Sequence, residues 1–99
     1  MYVQLGKVSL EWDAEKARAN KRKHGVGFEE SRPVFFDPYA ITIADDESDQ
    51  WERRFVSIGM GALGRVLVVV YAWRGSNIRV ISARCAGRQE RIQYEKGLL

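Results

Sequence analysis

An α+β domain is the fold class this chain predicts: an antiparallel β-sheet meander with N-terminal helices and a C-terminal helix packed on it. Three observations lead there. Residues 66–73, VLVVVYAW, alternate Leu67, Val69, Tyr71 and Trp73 with Val66, Val68, Val70 and Ala72, so both faces of a strand are apolar and the strand belongs mid-sheet. Other strand-like runs flank it with only short turns between, and short turns between consecutive strands favour antiparallel neighbours. Helical patterns occur only before and after this block, which segregates helices from the sheet.

Taken in order, Met1–Lys7 reads as a loose start and Val8–Trp12 as a short edge strand. Asp13 then serves as N-cap of a helix that ends at Gly25, where a left-handed residue needs no Cβ. The helix offers only Ala14, Ala17 and Ala19 for packing, while Lys16, Asn20, Lys23 and His24 recur at helical spacing along one stripe. It is built to present charge more than to fill a core. A second helix is expected over Phe28–Phe36, with Phe28, Arg32 and Phe35 or Phe36 on its inner edge and Glu29 and Glu30 favouring its first turn. Pro33 lacks an N–H and should kink or restart it, and Asp37–Pro38 ends it. Strands follow over Tyr39–Ala44 and Arg53–Met60, separated by a mobile acidic loop, Asp45–Gln50. A glycine-punctuated turn, Gly61–Gly64, leads into a hairpin that turns at Gly75 and Ser76. In its second strand Ile78, Val80, Ser82 and Arg84 share one face and Arg79, Ile81 and Ala83 the other. A two-residue loop sets Tyr71 opposite Val80, so Tyr71, Ser82 and Arg84 should share a face. The last helix spans Arg88–Lys96, with Gly97 as its left-handed C′ residue and Leu98 making the capping contact.

The chain has 99 residues, enough for one domain with one modest core, residues 1–99. Its longest apolar run is too short to span a bilayer, and no signal-peptide pattern opens it, so a cytoplasmic protein without a membrane partner is expected. One cysteine and one histidine exclude an intramolecular disulfide and a Cys₂His₂ site; no metal or cofactor is expected. The net charge is +3, and its distribution says more than its size. Residues 65–96 hold seven bases against two acids, whereas five acids crowd residues 45–52. A basic face of this kind suits a polyanion such as nucleic acid, or an acidic partner.

The phrases WDAEKARANKRKHGVGFEE, VFFDPYA, LVVVY and IRVISARCAGRQERIQYE, in this order and spacing, resemble the BrnT family of type II toxins, over Leu10–Glu95. The resemblance implies a RelE-like ribonuclease that cleaves RNA, stops translation and is neutralised by a ribbon-helix-helix antitoxin, with operator DNA bound only through that antitoxin. Three positions depart from the family pattern. Cys85 stands where a lysine usually follows the ISAR arginine, which removes a phosphate contact; Gly87 replaces an N-capping Thr; Pro33 interrupts the second helix.

Cleaving RNA without a metal requires removal of the 2′-hydroxyl proton, stabilisation of charge on the phosphate, and protonation of the leaving oxygen. Arginine suits the phosphate because its planar fork binds two oxygens at once. Arg84, Arg79 and Arg88 are the leading phosphate ligands; the alternative for Arg84 is an ion pair with a carboxylate such as Glu52. Arg79 lies on the opposite strand face, and both reach one phosphate only if twist or a bulge reorients one. His24 is a candidate proton carrier at a helix end, or else caps that helix or packs on Phe28. Glu52 is a candidate base, or a salt-bridge partner of Arg53 or Arg54. Tyr71 is a proton-transfer candidate or a core residue. Lys16, Lys23, Arg88 and Arg91 are candidate RNA contacts, and Tyr94 either stacks on a base or packs on the sheet. Trp51 and Trp73, where exposed, suit the antitoxin or RNA. Cys85 is expected to be an inert buried thiol. Beside the ribonuclease stand two other readings: a catalytically weak module acting within an antitoxin complex on DNA, and a free-standing RNA-binding domain.

Overall fold

The computed structural model describes residues 8–45 and 51–98. The expected loose start, Met1–Lys7, and all but the first residue of the acidic loop lie outside them. Five strands form one sheet: β1 (Leu10–Glu11), β2 (Ile41–Ala44), β3 (Arg54–Met60), β4 (Val66–Arg74) and β5 (Asn77–Cys85), in spatial order β1-β5-β4-β3-β2. The doubly apolar strand is indeed the central one, and β2 to β5 form the expected antiparallel meander. The first strand departs from it. β1 runs parallel to β5, with Leu10 opposite Ile78 and Glu11 opposite Arg79, so the sheet is mixed.

Helix α1 (Ala14–His24) starts and stops where its sequence says. The Asp13 carboxylate accepts from the Lys16 N–H at 2.9 Å, and Gly25 takes φ +71° while its N–H bonds the Lys21 carbonyl. Since β1 is only two residues long, α1 takes over the outer edge of β5 beyond it. The buried Asn20 amide makes this possible. Its Nδ2 donates to the carbonyls of Ala83 (2.7 Å) and Val26 (3.0 Å), and its Oδ1 accepts from the Ala83 N–H (3.2 Å). One side chain thus replaces the neighbouring strand that Ala83 lacks, satisfying backbone groups that would be costly to bury unpaired.

Phe28–Phe36 is a 3₁₀ helix, not an α-helix. With three residues per turn, its inner face is Phe28, Ser31 and Val34, all buried, and Arg32 is turned to solvent. The earlier expectation of Arg32 on the inner edge assumed the wrong period. Val26, Phe28 and Val34 pack on Leu67, Val69, Tyr71, Ile78, Val80 and Ala83, forming the main core on one face of the sheet. Each large apolar side chain enclosed there contributes about 1.5–3 kcal/mol. Glu30 anchors the segment by a bidentate pair with Arg65, which also donates to the Gly25 carbonyl.

Helix α2 (Arg88–Lys96) covers part of the opposite face, where Tyr94 and Ala86 pack with Val66 and Val68. Tyr94 Oη donates to Asp37 at 2.6 Å, and the same carboxylate accepts from the N–H groups of Met60 and Tyr39. This clips α2 to the end of the 3₁₀ segment around the edge of β3. Burial alone would raise the Asp37 pKa, but the bonds from Tyr94, Met60 and Tyr39 together outweigh it and hold the carboxyl below its usual range. Burial first, then the Asp37 carboxylate, push the Tyr94 hydroxyl up to about 12. The expected left-handed cap at Gly97 does not form: its φ is −71°, and Leu98 is exposed.

Candidate active site: a cationic groove beside a bulged strand

Two residues, Gly75 and Ser76, turn the hairpin, and Tyr71 stands opposite Val80 as its sequence requires. One step further the register shifts: Val70 pairs with Ser82, leaving Ile81 as an extra residue in β5. This bulge inverts the alternation. Before it, Arg79 pairs with Ala72; after it, Ser82 pairs with Val70 and Arg84 with Val68. Ala72, Val70 and Val68 share one face of β4, so Arg79, Ser82 and Arg84 share that face too. Arg54, opposite Ala72 on β3, joins them. The expectation that Tyr71, Ser82 and Arg84 share a face is therefore corrected. Tyr71 lies on the other side, 6% exposed in the main core, with its hydroxyl 2.9 Å from Ser57 Oγ.

Because α1 lies along β5, its polar stripe meets this face. Lys16, Lys23 and His24 line one wall of a groove of about 240 Å³, and Ile81 and Ser82 line the other. Past Lys16 the groove narrows into a recess of about 50 Å³ lined by Asp13, Arg54 and Arg79. A larger open depression over Lys16, Arg18 and Arg22 extends the positive surface around α1, but it is shallow helix surface without a second wall. Glu52 binds Arg79 Nη2 closely and approaches Arg54 Nε at 3.8 Å. Arg79 Nε is buried and meets no acceptor among the described residues.

Arg84 has a different partner from the one expected. Its two terminal nitrogens grip Glu90 at 2.8 Å each, and Glu90 also accepts from the Gly87 N–H at 2.7 Å. Gly87 has no side chain to accept from the first-turn N–H groups of α2, so only half of a capping box forms, with the Glu90 carboxylate reaching back to the Gly87 N–H. Chiefly through Arg84, and next through Gly87, the Glu90 carboxyl is held at about 2. A carboxylate pKa depressed in the folded state stabilises above the ordinary value of 4.5 and loses that contribution as the pH falls to about 2. Glu90→Gln should therefore cost about 1 kcal/mol at pH 7, the pair being partly exposed, and the difference should vanish between pH 4.5 and 2 in urea titrations.

The remaining candidates divide clearly. Arg88 is exposed on the first turn of α2, and Arg91, also exposed, donates to the Ala86 carbonyl at 2.9 Å. Tyr94 is 3% exposed, so it presents no ring face for stacking. Trp51 and Trp73 are exposed, at 85% and 48%. Cys85, expected to be buried, is exposed at the last position of β5. Arg54 is a site residue that the sequence suggests only as an ion-pair partner of Glu52; its alternation with Val56, Ile58 and Met60 was the available signal for its face, and the register opposite Ala72 places it beside Arg79. Among the described residues, no three His, Cys, Asp or Glu side chains gather to hold a metal, and no helix is long and apolar enough to cross a membrane.

The family model described as the ribonuclease toxin BrnT of type II toxin-antitoxin systems matches residues 12–90. The chain belongs to the BrnT family. That range runs from the entry to α1 through the bulged strand to Glu90, so the cationic groove lies within it. Among solved structures, the crystal structure of the Brucella abortus ribonuclease toxin BrnT aligns with a TM-score of 0.67 and 25% identity, covering 83% of this chain and all of that one. No curated protein matched the chain in a sequence search. BrnT membership makes the chain a ribonuclease toxin of a type II system, with RNA as substrate and an antitoxin as partner.

Proposed function

We propose that this BrnT toxin is a metal-independent endoribonuclease that cleaves mRNA in the cytoplasm and so arrests translation, working on a RelE-like scaffold. The observation that carries this reading is the bulge at Ile81, which gathers Arg79, Ser82 and Arg84 on one face beside Lys16, Lys23 and His24. Arg79 and Arg54, with Lys16, bind the scissile phosphate at the narrow end of the groove. Glu52, already held against both guanidiniums, takes the proton from the 2′-hydroxyl when the phosphate competes for them. The 2′-oxygen bonds to phosphorus, the bond to the 5′-oxygen breaks, and His24 returns a proton to that leaving oxygen. The arginines hold the charge that builds on the phosphate, a task that needs donors fixed before the reaction begins. Lys23 and the exposed Arg88 and Arg91 bind flanking phosphates.

Neutralisation falls to a ribbon-helix-helix antitoxin, through which the complex reaches operator DNA. An antitoxin that inserts a carboxylate between Arg79 and Arg54 would compete with the RNA phosphate for both guanidiniums. Incubation of purified protein with single-stranded RNA in excess chelator should yield fragments ending in 2′,3′-cyclic phosphate. Intact RNA at stoichiometric protein would instead favour a module that acts only within its antitoxin complex, for which the engagement of Arg84 by Glu90 already gives some support.

A further inference from the structure

On the sheet face away from the groove, a second cavity of about 190 Å³ opens beneath the 3₁₀ segment. Phe35, Phe36 and Trp73 contribute its aromatic walls, and three hydroxyl groups line its inner side. Those hydroxyls form a chain: Thr42 Oγ1 lies 2.7 Å from Ser57 Oγ, which lies 2.9 Å from Tyr71 Oη. The register explains the chain, since Thr42 stands opposite Ser57 on β2 and Ser57 flanks Tyr71, the neighbour of Phe55 on β4. Ser57 and Tyr71 are almost fully enclosed, at 2% and 6% exposure. None of these groups takes part in the proposed cleavage.

Counting protons shows what the chain lacks. Three hydroxyls carry three protons, and the two contacts use two. One proton is left over, and the polarity of the chain can reverse so that it emerges at Thr42 or at Tyr71. The cavity therefore offers one donor whose position adapts, together with acceptor lone pairs, to whatever enters. Its walls offer aromatic faces: Phe35 already meets Tyr71 edge to face at 4.9 Å, and Trp73 is half exposed at the mouth.

We infer that this cavity is a base-binding subsite that takes one pyrimidine base of the RNA, an assignment that rests on the ribonuclease reading. Size sets the ring count. A cavity of about 150 Å³ holds one benzene ring, and 190 Å³ adds room for exocyclic groups but not for a second fused ring. Charge sets the part of the nucleotide. Among the described residues the only ionisable carboxylate on the lining is Asp37 and no lysine or arginine lines the cavity, so they repel a phosphate where a neutral ring is accepted. The hydroxyl chain sets the chemistry, because pyrimidines present a carbonyl acceptor beside a ring nitrogen, and an apolar side chain from a protein partner would leave the spare proton buried without an acceptor. Aromatic walls then hold the ring by stacking, which depends little on which pyrimidine enters.

The test uses the full chain and free nucleosides, so that binding is read independently of cleavage. Uridine and cytidine should quench tryptophan fluorescence at millimolar concentration and adenosine should not, and Trp73→Phe should remove the response. Thr42→Val keeps the shape and removes the outer hydroxyl of the chain; it should weaken uridine binding about tenfold, within the range of one hydrogen bond, and flatten any pyrimidine preference at the cut sites in a mixed-sequence RNA. Absence of nucleoside quenching, with cut sites indifferent to base in both proteins, overturns the subsite while leaving the ribonuclease reading standing. RNA left intact while uridine still binds overturns the cleavage mechanism and leaves a pyrimidine-binding cavity. A Thr42→Trp variant, which fills the cavity, should alter base preference; loss of antitoxin binding with an unchanged cleavage pattern would assign the cavity to the protein partner and overturn the inference.

Discussion

Arg79→Ala should reduce RNA cleavage by about 10²–10³-fold, the usual cost of removing one fixed donor from a charged transition state. Arg79 is singled out because it stands at the narrow end of the groove with Lys16 and Arg54. Its partial exposure means that losing the ion pair with Glu52 should cost no more than about 1 kcal/mol. Activity and melting temperature therefore separate for this variant. Arg79→Lys should remain impaired, since an ammonium restores the charge without the two-pronged geometry. Full activity in Arg79→Ala would move the phosphate site elsewhere. Arg84→Ala behaves differently. It releases Glu90 and the N-terminus of α2 together, so its first effect should be on stability.

The second large effect belongs to Asn20, whose amide bonds backbone groups of Val26 and Ala83. Asn20→Ala leaves the N–H and carbonyl of Ala83 without their partner, along with one bond to the Val26 carbonyl. Unpaired buried groups cost about 1–3 kcal/mol each, so a loss of about 3–5 kcal/mol is expected, a drop in melting temperature on the order of 15 °C for a chain of this length. Asn20→Leu should do no better, because an apolar side chain fills the space and bonds nothing. Activity should fall as well, even at temperatures where the variant remains folded, since α1 loses the bond that aligns Lys16 and His24 with β5. A melting temperature within a few degrees of the parent would refute this account of how α1 is held.

The two residues differ in how far the chain itself announced them. The helix that carries Asn20 is bounded in the sequence by Asp13 and Gly25, and both ends form as those residues require. Asn20, however, reads as one more polar residue on a charged stripe, because what it bonds is 63 positions away. Arg79 reads as a strand residue facing away from Arg84, and strict alternation would keep it there. The extra residue at Ile81 leaves no composition signal: no glycine or proline marks it, and a β-branched residue fits a strand as well as a bulge. Arg84 illustrates the opposite case. A basic residue at the end of a strand invites a phosphate, but Glu90 six positions later was equally visible and becomes its partner once α2 turns back.

Local order in the chain thus determined the central strand, the hairpin turn, the boundaries of α1 and α2, and the BrnT resemblance, because each depends on neighbouring residues or on a short periodic pattern. The tertiary structure decided the parallel pairing of β1, the 3₁₀ form of Phe28–Phe36, and the faces on which the arginines lie. It also decided that α1 docks on an unpaired strand edge through one amide. These features arise from pairing between distant segments, where a single inserted residue or one buried hydrogen-bonding side chain reassigns every face beyond it.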